Sequence, residues 1–269
     1  MGRSLLQAVL SDWFNHMLRF SDIVFGPIHS RRLGSSLGIN LLPADGKLCN
    51  FDCIYCECGW NKDGRVSAPL LPTAADVAAA LEAKLQDCIS RGAGIDSITF
   101  SGNGEPTLNP EFPEIIDKVL SLRDSMFPKA KVSVLSNATM LGKEGVFVSL
   151  RKVDNPILKV DAHDDADVAV INRPSGKYSV REVVSNLKRF DGDFILQTMF
   201  LKGGGFDSSD RKSLEAWMDI VREVRPREVM VYTLDRETPL KGLQKFSVQQ
   251  MAEMVQPLVD EGFFVQIRG

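Results

Sequence analysis

This 269-residue chain has no apolar run approaching the roughly 20 residues that cross a bilayer, so no membrane association is expected. It has no excess of positive charge either. Lys and Arg number 32 against 35 Asp and Glu, a net charge of −3, so a broad basic surface for nucleic acid is not expected. The apolar stretch near the N-terminus is interrupted by Asp12 and offers no small-residue cleavage site, so no secretory leader is expected. Cysteines are few. There are five, three of them bunched, which argues against a disulfide framework and suits a reducing, cytoplasmic setting. No fixed-period repeat or low-complexity tract is present. The run Gly203-Gly204-Gly205 lacks a following Gly-Lys-Ser/Thr, so it reads as a flexible loop before a helix capped near Asp207, not as a phosphate loop.

The composition that remains is ordinary and globular: 44% hydrophobic and 25% charged residues, ample for one large core. Strand-like stretches at 36–42, 97–101, 131–137, 157–162, 194–201 and 228–234 alternate with helix-like ones, and 263–267 is a candidate seventh strand. Thr73 is placed to cap one helix, Ser179 with Glu182 and Ser247 with Gln250 to form capping boxes on two others. Leu214, Trp217, Met218 and Val221 recur at helical spacing. So do Met254, Val255 and Leu258. Cys88 falls on a stripe with Val77, Leu81, Leu85 and Ile89, as an inert core thiol would. Alternation of this kind predicts an α/β fold with a parallel sheet, as a partial (β/α)6 TIM-like barrel. A single domain over 1–269 is expected, with a core at about 34–235, an N-terminal extension 1–33 and a C-terminal helix and strand at 246–269.

Strand parity predicts which side chains face the lumen. Leu158 and Val160 share one face of their strand, Lys159 and Asp161 the other. The apolar face should meet the helices, so Lys159 and Asp161 should point inward, joined by Asn40, Ser101, Asn137, Gln197 and Tyr232. Closed barrels usually fill with branched apolar side chains. A polar lumen therefore implies a polar ligand, or else mutual pairing such as Lys159 with Asp161.

The densest chemistry lies in Leu-Cys-Asn-Phe-Asp-Cys-Ile-Tyr-Cys, with Cys49, Cys53 and Cys56 separated by three residues and then two. Three thiolates on one loop can hold three irons of a four-iron cluster and leave the last iron open. With Cys58 added, the same loop presents four thiolates, a set that zinc also accepts. Tyr55 stands where an aromatic ring can cover the cluster and its ligand. The second strand runs into Ser101-Gly102-Asn103-Gly104-Glu105-Pro106, at the strand end where parallel folds bind ligands. The third ends in Leu135-Ser136-Asn137-Ala138-Thr139, whose short polar groups suit either ribose hydroxyls or a local Asx turn. Asp161 follows the fourth strand as a candidate cofactor or substrate contact, and His163 reads as an ordinary loop histidine. Arg31 and Arg32, then Arg173 and Arg236, add cations near strand ends or in loops.

The cysteine loop just after a first strand resembles that of the radical S-adenosylmethionine (SAM) superfamily. The resemblance implies a [4Fe–4S] cluster on Cys49, Cys53 and Cys56, whose open iron chelates the amino and carboxylate groups of SAM. It further implies cleavage of SAM to methionine and a 5′-deoxyadenosyl radical that abstracts hydrogen from a substrate. The strand-end run matches the superfamily's Gly-Gly-Glu motif, with Asn103 in place of the first glycine and Gly104 and Glu105 at the SAM amino group. Ser136, Asn137 and Asp161 stand where further SAM contacts are implied. Over residues 25–236 the chain is similar to the branch related to wyosine-type tRNA-modification enzymes. That similarity rests on Gly-Pro-Ile-His-Ser-Arg-Arg-Leu-Gly, Ser-Gly-Asn-Gly-Glu-Pro-Thr-Leu, Asn-Arg-Pro, Gln-Thr-Met-Phe-Leu-Lys-Gly and Tyr-Thr-Leu-Asp-Arg. The tricycle-forming enzyme of that branch uses a second cysteine cluster near its N-terminus, whereas no cysteine precedes Cys49 here. The implied partners are a substrate (small molecule, peptide or RNA base) and a reductant such as flavodoxin or ferredoxin, with Lys159, Asp161, Gln197, Tyr232 and Arg236 facing the substrate. A zinc-binding scaffold and a simple electron carrier are the competing functions.

The cluster and zinc readings diverge at Cys58. With a three-cysteine cluster, Cys58→Ala keeps the brown chromophore near 400 nm and Cys53→Ala loses most of it. With four-thiolate zinc, both variants lose a colourless metal. Visible absorption and metal analysis of the two variants separate these outcomes.

Overall fold

A computed structural model of the chain describes residues 20–30, 34–62 and 70–269. The paired arginines Arg31 and Arg32, and most of the expected N-terminal extension, lie outside the described residues. One eight-stranded sheet organises the molecule. Its first strand, β1 (Val24–Ser30), runs antiparallel to β2 (Gly34–Ile39) and forms the outer edge. From β2 the order is β3 (Ser97–Phe100), β4 (Lys131–Ser136), β5 (Asn155–Lys159), β6 (Ile195–Met199), β9 (Glu228–Tyr232) and β11 (Val265–Arg268), all parallel.

Crossover helices join each successive pair. They are α1 (Ala74–Ser90), α2 (Phe112–Met126), α3 (Glu144–Lys152), the pair α4 (Asp165–Ile171) and α5 (Val180–Lys188), α6 (Arg211–Val224) and α7 (Val248–Asp260). Six crossovers carry seven parallel strands, so the candidate strand at 263–267 is real and extends the sheet by one. The edges β1 and β11 do not pair with each other, which leaves an open, partial barrel.

Alternation explains how the layers form. Leu37 and Ile39, Ile98 and Phe100, Val132 and Val134, Leu158, Leu196, Val229 and Val231 all point outward and are buried against the helices. The lumen is graded along its length, not polar throughout. At its amino end, hydroxyls and amides pair across strands: Ser36 with Thr99 (2.8 Å), Ser97 with Ser133 (3.3 Å) and Asn155 Nδ2 donating to Ser133 (3.0 Å). Ile157, Ile195 and Met230, with Leu135 against them, make an apolar waist. Polar residues return at the carboxyl ends. The waist separates the opening from the barrel's amino end and gives the site an apolar floor.

Several local expectations are met and others corrected. Thr73 caps α1 in a capping box with Asp76, and Ser247 does the same for α7 with Gln250. Ser179 makes no side-chain cap. The α5 amide of Val180 donates instead to Asp165 (2.6 Å), because α4 folds back close enough to supply a carboxylate. The three glycines do not form a flexible loop. They turn a tight hairpin between β7 (Leu201–Gly203) and β8 (Phe206–Asp207), which β10 (Gln244–Lys245) completes as a small second sheet. The following helix is capped by Asp210, not Asp207. Cys88 is buried with Val77, Leu81 and Leu85, but Ile89 is 52% exposed, one residue past the inward face. Among the described residues no helix is long and apolar enough to cross a membrane.

Phe100, fully buried on the outer face of β3, meets Phe112 of α2 edge-on at 6.2 Å. Phe100→Ala should lower the unfolding free energy by about 3–5 kcal/mol through the cavity it leaves. Ile89→Ala, at the exposed edge of α1, should change it by no more than about 0.5 kcal/mol. Denaturant titrations of the two variants give the comparison.

Candidate active site at the carboxyl ends of the strands

The loop after β2 carries the cysteines across the carboxyl end of the sheet, and its backbone is tied on both sides. Leu48 bridges Gly104 in a short parallel contact, with Leu48 N donating to Asn103 (2.8 Å) and Glu105 N donating to Leu48 (3.1 Å). On the other side, Asp52 N donates to the carbonyl of Asn172 (2.8 Å) and Ile54 N to that of Ile171 (3.0 Å), at the end of α4. Gly104 is required by this arrangement. Its φ is +137°, and a Cβ there would lie 2.0 Å from the Leu48 carbonyl oxygen.

Side chains close the loop from within. The Asp52 carboxylate accepts from Lys47 Nζ (3.2 Å) and from Asn61 N (2.9 Å), and Asn61 Oδ1 in turn accepts from Cys49 N (3.0 Å). Lys47 also donates to the Gly59 carbonyl (3.0 Å), and its side chain is only 1% exposed. Burial works against its ammonium charge. The negative potential of Cys56, Cys49, Cys53 and Asp52 outweighs that and holds its pKa above the ordinary lysine value.

The three cysteines border one cavity of about 550 Å³, with Gly104, Glu105, Ser136, Asn137, Lys159, Gln197, Tyr232 and Arg236 around it. The sulfurs receive hydrogen bonds from the protein. Phe51 N donates to Cys49 Sγ (3.4 Å), and Asn172 Nδ2 to Cys53 Sγ (3.3 Å). Burial pushes the Cys49 thiol up. Burial, with Cys56 beside it, pushes Cys53 up to about 11, whereas hydrogen bonding from Cys58, with the Lys47 charge, brings Cys56 down to about 6 despite its burial. Ligation replaces such protons with metal. Cys58 borders the same cavity and points its thiol at the Gly102 carbonyl (3.4 Å). Three hydrogen-bonded thiols on a pinned loop, opening on a half-enclosed cavity, suit a cluster that offers one iron outward.

Glu105 is buried at the cavity wall. Its carboxylate accepts from Thr107 N (3.1 Å) and Oγ1 (2.6 Å), Ser136 Oγ (2.9 Å) and Asn137 N (2.7 Å). Burial still raises its pKa against those donors. Ser136 and Asn137 reach the cavity, yet much of their hydrogen bonding is internal. Asn137 Oδ1 accepts from Thr139 in an Asx turn, and its Nδ2 donates to Asn50 (2.7 Å), so the turn expected as an alternative is present. Asn103 does not face the cavity. Its amide spans Pro43 (2.8 Å) and the Phe20 backbone (2.8 Å), and thereby ties the segment preceding β1 to the strand end.

Asp161 is placed differently from the other candidates. It sits behind Tyr55, does not border the cavity, and accepts from the Tyr55 hydroxyl, Asn172 Nδ2 (2.7 Å) and Met199 N (2.9 Å). Lys159 pairs with it at 3.5 Å, donates to the Tyr232 hydroxyl (2.6 Å) and lies over the Tyr55 ring at 5.3 Å. Lys159 thus pairs internally and also borders the cavity. Arg236 reaches Glu57 at 2.9 Å across the cavity mouth.

The model of the radical SAM superfamily matches residues 45–203. This chain belongs to that superfamily. Members of that superfamily use a [4Fe–4S] cluster and SAM. Its curated relatives include a protein named GTPase Obg from Brachyspira hyodysenteriae, 28% identical over 85% of this chain and 32% of that protein, and a UPF0026 protein from Helicobacter pylori, 28% identical over 82% and 68%. The chain thus spans about a third of the first relative's length. Among solved structures, a radical SAM methyltransferase from Sphaerobacter thermophilus superposes with a TM-score of 0.66 at 16% identity, over 87% of this chain and 65% of that one. SAM-bound SuiB from Streptococcus suis gives 0.61 at 15%, over 84% and 49%, and archaeal TYW1 gives 0.54 at 11%, over 98% and 90%. These likenesses show the fold.

Sequence reading missed Lys47, Asp52, Asn61 and Asn172 as parts of the site. Only Asn172 carried a signal, in the Asn-Arg-Pro motif. The other three are polar residues inside a loop, and nothing in their spacing distinguishes a buried latch from a solvated turn.

Gly104→Ala should force the Leu48 bridge apart. The expected result is several-fold less iron per chain after reconstitution, whereas Gly94→Ala, where an added Cβ meets open space, reconstitutes normally. Iron and sulfide assays on the two variants test this.

Proposed function

We propose that Cys49, Cys53 and Cys56 ligate three irons of the cluster and that SAM lies along Gly104, Glu105, Ser136 and Asn137. When bound, these cofactors supply reductive cleavage of SAM to methionine and a 5′-deoxyadenosyl radical that abstracts hydrogen from the substrate. The Leu48–Gly104 bridge is the observation that carries this reading, because it draws the cysteine loop and the Gly-Glu run into one cavity. Glu105, fixed by four donors, takes the SAM amino group. Asp161 acts at one remove by holding Tyr55 beside Cys53 and Cys56. The apolar waist excludes water from below.

Lys159, Gln197, Tyr232 and Arg236 form the substrate wall. Their donors, in a cavity that must also admit SAM, favour a compact polar substrate. The wyosine-type motifs make an RNA base the second candidate, and the acidic balance of the chain weighs against it. We read residues 1–269 as one domain. A low-potential donor of the flavodoxin or ferredoxin class supplies the electron.

Electron paramagnetic resonance of anaerobically reconstituted, reduced protein should show a four-iron signal that changes shape when SAM is added. Glu105→Gln should weaken that response by about tenfold or more, as expected for losing a hydrogen bond to a charged group worth roughly 1.5–3 kcal/mol. A chain holding one zinc and giving no iron signal after reconstitution overturns the assignment.

A further inference from the structure

Lys47 is a buried cation with no part in the assignments above. Its side chain is 1% exposed, it borders the same cavity as the three cysteines, and it follows the chain into the cluster loop two residues before Cys49. An ammonium has three donors. Two of them meet the Asp52 carboxylate and the Gly59 carbonyl, which fixes the group at the base of the loop. Asp52 is 31% exposed at its side chain, so water screens the anion more than the cation it pairs with. Among the described residues, other charged groups also border this cavity, Arg268 with them. Glu105 is a buried carboxylate, Lys159 is paired with Asp161, and Arg236 with Glu57.

Reduction potentials of thiolate-bound clusters depend on net charge, hydrogen bonds to sulfur and solvent exposure. One electron arriving from a low-potential flavin or iron–sulfur donor makes the cluster more negative. No proton accompanies it, and Lys47 stays charged throughout. A fixed cation in a poorly solvated setting favours that product far more than a surface lysine does.

We infer that Lys47 tunes the cluster: its buried ammonium raises the reduction potential of the centre held by Cys49, Cys53 and Cys56, and Asp52 sets how much of that charge the centre feels. This rests on the cysteine assignment of the preceding section. In this reading Lys47 acts through its charge on the cluster, as a tuning residue.

The test is a redox titration of the reconstituted full-length chain, followed by electron paramagnetic resonance, on wild type, Lys47→Met, Lys47→Arg, Asp52→Asn and the Lys47→Met/Asp52→Asn pair. Lys47→Met should shift the reduction equilibrium at least tenfold toward the oxidised form, which is about 59 mV more negative for a one-electron couple. Asp52→Asn keeps an acceptor for Asn61 N and should shift it the other way. The double variant should fall between the two singles, and Lys47→Arg should stay near wild type. A purely structural latch predicts iron loss without opposed shifts. The inference is overturned if Lys47→Met, with wild-type iron and sulfide, keeps the wild-type midpoint. If that variant holds no cluster, Asp52→Asn decides, and an unchanged or more negative midpoint overturns the inference. A wild-type chain without any four-iron signal overturns the cysteine assignment itself, a result distinct from an unchanged midpoint.

Discussion

Everything at the carboxyl end of this sheet depends on holding an irregular loop, with buried backbone and three thiols, in one shape. Such a loop cannot satisfy its own amides and carbonyls, and leaving them unpaired in the interior is costly. The protein solves this by borrowing partners from two distant places. The Gly104 strand end takes Leu48, and the end of α4 takes Asp52 and Ile54. Gly104 permits the first contact because a side chain there would occupy the space of the Leu48 carbonyl. The loop is thus stitched between the second parallel strand and the fourth crossover, and the cavity is the gap between the stitches.

The sheet supplies the rest through parity. Outward residues are apolar and meet the helices. Inward residues change character with height, from paired hydroxyls at the amino end, through Ile157, Ile195 and Met230, to Lys159, Gln197 and Tyr232 at the carboxyl end. A polar ligand site above an apolar waist follows from a period of two read along successive strands. Among the described residues β1 and β11 do not pair, so the sheet stays open at that edge.

Charge is distributed with the same economy. Asp161 gathers Tyr55, Asn172, Met199 and Lys159 behind the cluster loop, and Glu105 gathers Thr107, Ser136 and Asn137 on the opposite wall. Each buried carboxylate is charge-balanced or heavily hydrogen-bonded, as burial demands. Asp161 was expected to meet cofactor, whereas it holds Tyr55 and does not itself border the cavity. That distinction lies in which side of Tyr55 the carboxylate occupies, and alternation along one strand carries no information about it.

Local order was largely legible in the chain itself. The alternation at 157–162 placed Lys159 toward the lumen, the same parity at 228–234 placed Tyr232 there, and Thr73 and Ser247 announced their helices. The spacing of Cys49, Cys53 and Cys56 announced three thiols on one loop, and all three border one cavity. These features depend on near neighbours, and near neighbours are what a sequence displays. Tertiary structure alone decided the rest. It made a hairpin of Gly203-Gly204-Gly205, replaced the Ser179 cap with Asp165, set an apolar waist in a lumen read as polar, and buried Lys47 against Asp52 beside three sulfurs. Each of those outcomes depends on contacts that only folding brings together, near in the chain for Lys47 with Asp52 and far apart for the strands that form the waist.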